Sequence, residues 1–399
     1  MVYLDNGSTS FPKPEYVLKK TFKAVSENYG SSMRSSSTEN NDIIYETRKK
    51  LAKLMNVPFA SNVIFTSNST EALNAIINGF LNEGDRVIST AIEHNSVVRP
   101  LAKLRKSKHI KTNWVKCDGK GLVDPDEMIN LIKEKKPKLV IMNHASNITG
   151  KVQNVEKVGK FIDKLPNTYF LVDASQSLGH IPFDNEKIKA DFIAFTGHKA
   201  LLGFSGIGGY YIKPNIQIEP LKVGGTGVLS ELVCQPAGSP VHYECGTQNI
   251  VGITSLYYSL DFLNELNVEN VKKELLEKTE YLISKLNHFS DVNVYSEKNP
   301  VGIVSFNIKG IVPSRLSTIL SENYNIVTRA GLICAPFIHE FLGSNPFGII
   351  RASVSHFTSK EDMDQLINAI EDILTNIDNM RNINFPQEYV NPSIYDYCD

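Results

Sequence analysis

From about residue 60 to 215 the chain alternates short β-branched and aromatic runs with longer stretches whose apolar residues recur three or four positions apart. The runs VIFTSNS, RVIST, TNWVK, KLVIMNH, TYFLVDAS and DFIAFTGH predict strands or strand ends. STEALNAIINGFL, HNSVVRPLAKLRK, DEMINLIKEKK and VEKVGKFIDKL predict amphipathic helices between them. Strand–helix alternation of this kind predicts an α/β fold with a mostly parallel sheet covered on both faces. Ligands of such sheets bind beyond the carboxyl ends of the strands. Ser69, Asn147, Asp173, Thr196 and His198 each fall at or just after such an end.

Beyond residue 215 the pattern changes. KVGGTGVLS and QPAGSPVHYECGTQN are loop-like, helical periodicity runs from 248 to 286, and GIVSFNI, SRLSTILSEN, GIIRASVS and KEDMDQLINAIEDIL form a shorter αβ set. A second, smaller α+β domain is expected, and a length of 399 residues agrees with two cores. The expected division is a large domain over 14–255, a small domain made of 1–13 and 256–380, and a tail over 381–399 that lacks periodicity.

Composition narrows the function by exclusion. A net charge of -1 offers no electrostatic basis for nucleic acid or an anionic membrane as main partner. No apolar run is long enough to span a bilayer, and MVYLDNGSTS has neither a basic nor an apolar leader region. The cysteines Cys117, Cys234, Cys245, Cys334 and Cys398 are scattered and odd in number, which suits a reducing cytoplasm and argues against a disulfide framework or a metal site.

The chemistry concentrates in DASQ at 173–176 and TGHK at 196–199. A pyridoxal phosphate enzyme needs a lysine for the Schiff base, a carboxylate that keeps the pyridine nitrogen protonated, donors for the phosphate and a group flat against the ring. Lys199 follows a strand where desolvation makes a lysine nucleophilic, and Asp173 ends the preceding apolar strand, placed for the ring nitrogen. Gln176 is in reach of the ring hydroxyl, and Thr196 and His198 are phosphate donors. Ser69 and Thr70 open a helix whose free N–H groups suit a phosphate, although Ser or Thr ahead of Glu71 is also an ordinary capping box. His94 is placed to stack on the ring; a lone histidine is more often a capping or packing residue. Taken singly, Asp173 reads as a helix cap and Lys199 as a surface charge; it is their joint occurrence that points to the cofactor.

The segments YLDNGSTSFPKPE, TSNSTEALN, EHNSVVRPL, HASNITG, VDASQSLGH, DFIAFTGHKALLGFSGIGGYYI, YECGTQN, RAGLICAP and IRASVSHFT, in that order, resemble the class V aminotransferase-fold enzymes. Within them the chain is similar to the cysteine desulfurases, particularly the SUF-type or group II branch and its desulfurase-like relatives, over about residues 3 to 375. The resemblance implies pyridoxal-phosphate fold type I, with a seven-stranded sheet in the large domain. It implies that Lys199 carries the cofactor, Asp173 partners the pyridinium, Gln176 the ring hydroxyl, His94 stacks and shuttles protons, and Ser69, Thr70, Thr196 and His198 hold the phosphate. It implies that Thr247 reaches the phosphate of the other subunit of a homodimer, that Asn147 lies near the ring hydroxyl and substrate carboxylate, and that Arg351 clamps that carboxylate, with Arg329 close by.

By the same resemblance, Cys334 of RAGLICAP takes the sulfur of L-cysteine as a persulfide, releases L-alanine and passes the sulfur to an acceptor protein. An accessible thiol flanked by Gly331, Pro336 and Arg329 meets the physical demand, while the remaining cysteines read as ordinary small residues. Two departures stand out: Gly7-Ser8 where the family usually has two alanines, and the polar stretch SSMRSSSTENND. A selenocysteine lyase, another class V activity such as an aminotransferase or C–S lyase, and a catalytically silent scaffold remain open, as does the identity of the sulfur acceptor.

Overall fold

The computed structural model describes residues 1–27 and 43–376. The stretch SSMRSSSTENND, the tail over 381–399 and Cys398 lie outside the described residues.

The predicted alternation closes into one seven-stranded sheet ordered Val63–Thr66, Gly208–Ile212, Phe192–Thr196, Tyr169–Asp173, Leu139–Asn143, Arg86–Thr90 and Lys111–Val115. Strands from Lys111–Val115 through Phe192–Thr196 are parallel; Gly208–Ile212 runs antiparallel to both of its neighbours. Because side chains alternate along a strand, each run feeds two cores. Val87, Leu139, Ile141, Leu171, Phe192 and Ala194 join Leu73, Ile76 and Ile77 of helix Ser69–Phe80 and Leu101 of helix Asn95–Ser107. Ile88, Val140, Met142, Phe170, Val172 and Ile193 face the other way, into the larger core with Val155, Val158, Leu256 and Leu260.

The strand Gly208–Ile212 is absent from the sequence-based expectation. Its two glycines lower strand propensity, and they are there because backbones meet: a Cβ on Gly209 would lie 2.3 Å from the Ile64 carbonyl oxygen, and one on Gly208 would lie 2.8 Å from the Asn68 backbone. The helices Glu15–Glu27 and Ile43–Met55 likewise lie outside the sequence-based expectation; both pack on helix Ile250–Leu266.

C-terminal to these, an antiparallel sheet is ordered Arg329–Gly331, Ile349–Ser353, Ile303–Ile308 and Val292–Val294. The chain's first residues attach here. Val2–Tyr3 pairs in parallel with Ile326–Val327, and Asp5 bridges to Ser353. The segment after Asp5 then crosses to the large sheet, where Ser10 N–H donates to His198 O (3.0 Å). This crossing brings residues 5–10 between the carboxyl ends of the parallel strands and the strand that carries Arg351. No helix among the described residues is long and apolar enough to cross a membrane.

Candidate active site

Asp173 and Thr196 are the last residues of two adjacent strands, and Lys199 follows in the turn after Thr196. The Asp173 carboxylate is buried and accepts from Ser175 N–H (2.9 Å) and Ser175 Oγ (2.5 Å). Burial raises its pKa, while those two hydrogen bonds and the Lys199 ammonium act in the opposite direction. Lys199 is partly exposed at the junction of the two sheets. Its surroundings lower its pKa to about 8: desolvation first, then the Arg351 guanidinium, opposed by Asp173, Asp5 and Cys334. A lysine in that range holds on the order of a tenth of its population as free amine at neutral pH, far more than an ordinary lysine.

Arg351 stands in the middle of strand Ile349–Ser353, where the alternation buries it almost completely. Its Nη2 donates to Asp5 Oδ1 (2.8 Å) and Ser8 Oγ (2.9 Å), and Nη1 donates to Asn147 O (2.9 Å). The ion pair with Asp5 offsets the cost of burying the charge, so the residue is neither a surface pair nor an unpaired core charge. Arg329 lies opposite Arg351 in the neighbouring strand and is exposed, close enough for its charge to lower the Arg351 pKa.

Asn147 joins two elements. Its carbonyl takes Arg351 Nη1, and its Nδ2 donates to Ile333 O (2.8 Å) next to Cys334. Cys334 itself is exposed and sits in a turn near Lys199. Of the other described cysteines, Cys117 is buried, with its thiol pushed up to about 12 by desolvation, Cys234 is exposed and Cys245 half-buried.

His94 caps helix Asn95–Ser107. Its Nδ1 accepts from Ser96 N–H (3.0 Å), so the ring hydrogen resides on Nε2. Burial, with Lys199, Arg99 and Arg351 adding to it, lowers this imidazole to about 4, so it is neutral at physiological pH. Ser96 Oγ lies 2.7 Å from His94 Nδ1 and 2.8 Å from Thr70 Oγ1, linking the ring histidine to the start of helix Ser69–Phe80. That helix begins where expected, but its cap is Asn68, one residue upstream of the Ser/Thr pair: Asn68 Oδ1 accepts Glu71 N–H (2.9 Å), and Glu71 reaches back to Ser67 N–H (2.7 Å). Ser69 and Thr70 are therefore relieved of capping and stand at the positive helix end. Thr247 is exposed and shares a groove with Ser67, Glu71, Lys222 and Cys245.

Gln176 is buried, and its Nε2 donates to Gly7 O (3.0 Å); the second amide hydrogen remains for another acceptor. The buried Thr196 Oγ1, His198 Nδ1, Asn147 Oδ1 and Arg351 Nε have no hydrogen-bond partner in the protein. Buried polar atoms are ordinarily satisfied, so these orphans around Lys199 and Asp173 point to a polar ligand. The donors suit a phosphate, the buried carboxylate suits a pyridinium, and the set as a whole fits pyridoxal phosphate.

Sequence reasoning singled out Ser8 as a departure from the family pattern but missed several other neighbours. Asp5 joins Ser8 on Arg351, Ser96 orients His94, Ser175 holds Asp173, and the fully buried Glu93 accepts from Thr90 Oγ1 (2.5 Å) and Asn143 N–H (2.9 Å). Ser96, as the second residue after a helix cap, and Ser175, two residues after Asp173 within DASQ, carried local signals.

The sequence matches the family model for class V aminotransferases over residues 2–366. It is 34% identical over 382 residues to a probable cysteine desulfurase of Methanothermobacter thermautotrophicus, covering 93% of this chain and 94% of that protein. A probable cysteine desulfurase of Pyrococcus abyssi is 31% identical, with 94% and 95% covered. Among solved structures, the apo cysteine desulfurase from Thermococcus onnurineus superposes with a TM-score of 0.83 at 27% identity, covering 94% of this chain and 95% of that one. A cysteine desulfurase from Escherichia coli gives 0.82 at 26% identity, with the same coverage. The chain belongs to the class V aminotransferase family, and the relatives it matches along nearly their whole length are cysteine desulfurases.

Proposed function

We propose that this protein is a pyridoxal-phosphate-dependent L-cysteine desulfurase. The observation that carries the reading is the meeting, at one junction, of an exposed thiol at Cys334, a lysine with depressed proton affinity at Lys199 and a buried guanidinium at Arg351. Pyridoxal phosphate would be held covalently by Lys199, with Asp173 at the ring nitrogen, His94 against the ring, Gln176 at the ring hydroxyl, and Ser69, Thr70, Thr196 and His198 around the phosphate. When bound it supplies an electron sink for a carbanion next to an amino group.

The protein's own residues then have separable tasks. Arg351, with Asn147 beside it and Arg329 at its edge, receives the substrate carboxylate. Lys199 Nζ moves the proton at the substrate Cα. The neutral His94 Nε2–H would hold or pass a proton at the ring side. Cys334, as thiolate, attacks the substrate sulfur: the Cβ–S bond breaks, an S–S bond forms on Cys334, and the electron pair left on carbon takes a proton to give L-alanine. The sum, L-cysteine plus thiol giving L-alanine plus persulfide, balances without an external oxidant. The persulfide then passes to the thiol of an acceptor protein.

We further infer a homodimer working in a reducing cytoplasm, with the chain divided into 14–255 and 1–13 plus 256–380. The exposed Leu221, Val223, Leu229, Leu232 and Val233 offer a second copy an apolar surface, and Thr247, exposed at the end of the same loop region, would contact the phosphate in that copy.

The test is incubation of the purified holoprotein with L-cysteine, following alanine, sulfide and the residue that bears the persulfide by mass spectrometry. Alanine in step with sulfur, and a persulfide on Cys334, are expected. Cys334→Ala should keep the cofactor's visible absorbance and lose sulfur release; full-rate desulfuration by that variant would overturn the role of Cys334. Turnover of L-selenocysteine alone, or amino transfer to a keto acid, would replace the reading with another class V activity.

A further inference from the structure

The nucleophile turn is unusual in its backbone. Ala335 N–H donates to Leu332 O (3.0 Å), closing a four-residue turn whose two central residues, Ile333 and Cys334, have φ of 43° and 59°. Two left-handed residues in succession normally call for glycine or asparagine, and a β-branched isoleucine is among the least tolerant residues there. Such a conformation persists only where the surroundings over-determine it.

The surroundings do so carbonyl by carbonyl. Leu332 O accepts from His339 Nε2 (3.1 Å), Ile333 O from Asn147 Nδ2 (2.8 Å), and Cys334 O from the Asn95 backbone N–H (2.7 Å). Three donors from three separate segments thus fix three consecutive peptide groups, while the Cys334 side chain stays exposed.

His339 has no part in the chemistry described above, yet it is fully buried in the short helix Ile338–Leu342. A carbonyl can only accept, so Nε2 carries the hydrogen given to Leu332; Nδ1 then accepts from Ser344 Oγ (2.8 Å). Burial lowers this imidazole to about 4, which keeps it in the neutral, single-tautomer form that this arrangement needs.

We propose that the Ser344–His339 pair is a positioning device for Cys334: Ser344 sets the histidine tautomer, and His339 Nε2–H holds the Leu332 carbonyl so that the left-handed turn presents the thiol in one place. This deepens the desulfurase reading and rests on it only for the catalytic part of the test.

Three variants of the full-length holoprotein decide the matter: His339→Leu, which keeps bulk and removes the donor; His339→Gln, whose amide nitrogen can stand where Nε2 does; and Ser344→Ala. The first readout is the iodoacetamide alkylation rate of Cys334 divided by that of Cys234, an exposed thiol in the same molecule, followed by mass spectrometry. The second is kcat and KM for alanine formation from L-cysteine. With His339→Leu the alkylation ratio should rise at least about threefold as the turn opens, and kcat should fall on the order of tenfold with KM unchanged, because a misplaced nucleophile costs rate rather than binding. His339→Gln should recover most of both. An unchanged ratio and kcat in His339→Leu, or no recovery in a folded His339→Gln, would overturn the proposal. Should His339→Leu fail to fold, Ser344→Ala must move the ratio in the same direction, and an unchanged ratio there overturns it as well. The alkylation ratio needs no turnover, so a wild-type protein that makes no alanine defeats the desulfurase reading while the ratio still decides the positioning role.

Discussion

The guanidinium of Arg351 lies directly on the backbone of Gly7: a Cβ at that position would stand 2.9 Å from Arg351 Cζ and 3.1 Å from both terminal nitrogens. Ser8, the next residue, accepts one of the Nη2 hydrogens and donates to Asp5 Oδ1 (2.8 Å). The Gly7-Ser8 pair that departs from the family pattern therefore shapes the carboxylate clamp. Gly7→Ala should push the guanidinium aside and raise KM for L-cysteine about fivefold, the equivalent of roughly one hydrogen bond. Ser8→Ala frees a donor for the substrate and should lower KM. Steady-state kinetics on the two variants checks both signs, and equal KM values throughout would contradict them.

Glu93 is fully buried beside the site, with one carboxylate oxygen accepting two hydrogen bonds and the other, Oε2, without a partner. Desolvation raises its pKa to about 8, with the Asp173 charge adding to it and the two hydrogen bonds opposing. A folded-state pKa above the unfolded value favours the folded state at low pH, and that contribution is lost as pH rises from about 4.5 through about 8. Glu93→Gln keeps the acceptor and removes the ionisation. Its melting temperature relative to wild type should therefore climb between about pH 4.5 and pH 8 and level off above; a constant difference would show that Glu93 does not titrate there.

Four histidines, two of them buried (His144, His339) and two half-buried (His180, His198), act in the opposite sense. His144, His180, His198 and His339 are all lowered to about 4, desolvation being the first cause for each. A depressed folded-state pKa supports the fold above the unfolded value near 6.5, and the support is lost as pH falls towards 4. Measured in Glu93→Gln, where the opposing carboxyl titration is removed, the melting temperature should be level just above pH 7 and decline steadily between 6.5 and 4. A curve that stays flat down to pH 4.5 would show that these imidazoles are not protected from protonation in the fold.

Arg48 and Glu244 form a bidentate pair, with Nη1–Oε1 at 2.7 Å and Nη2–Oε2 at 2.6 Å, both side chains nearly inaccessible. Glu244 also accepts Phe65 N–H (2.7 Å), so it ties helix Ile43–Met55 to the edge strand and to the loop bearing Cys245 and Thr247. Removing one partner leaves a buried charge, and Glu244→Ala should cost about 3–5 kcal/mol in urea unfolding. Replacing both residues with apolar ones of similar size should recover most of that loss.

The alternation of strands and helices from residue 60 to Thr196 and the nearness of Asp173 to Lys199 were legible in the sequence. Side-chain alternation, helical periodicity and turn chemistry are local signals, and DASQ and TGHK sit at strand ends because each follows an apolar run. Other features depend on segments far apart in the chain coming together, and no short window encodes them. Gly208–Ile212 becomes a strand because its glycines admit the Ile64 and Asn68 backbones. Arg351 keeps its charge in a buried strand because Asp5 and Ser8 arrive from the N-terminus. Cys334 is only a cysteine in a glycine- and proline-flanked loop when read along the chain. Its left-handed turn exists because Asn95, Asn147 and His339, each local to a different element, converge on three successive carbonyls. Residue identities thus set the chemistry available to this protein, while long-range packing decided where each reactive atom is held, since strained or charged groups persist only where distant partners satisfy them.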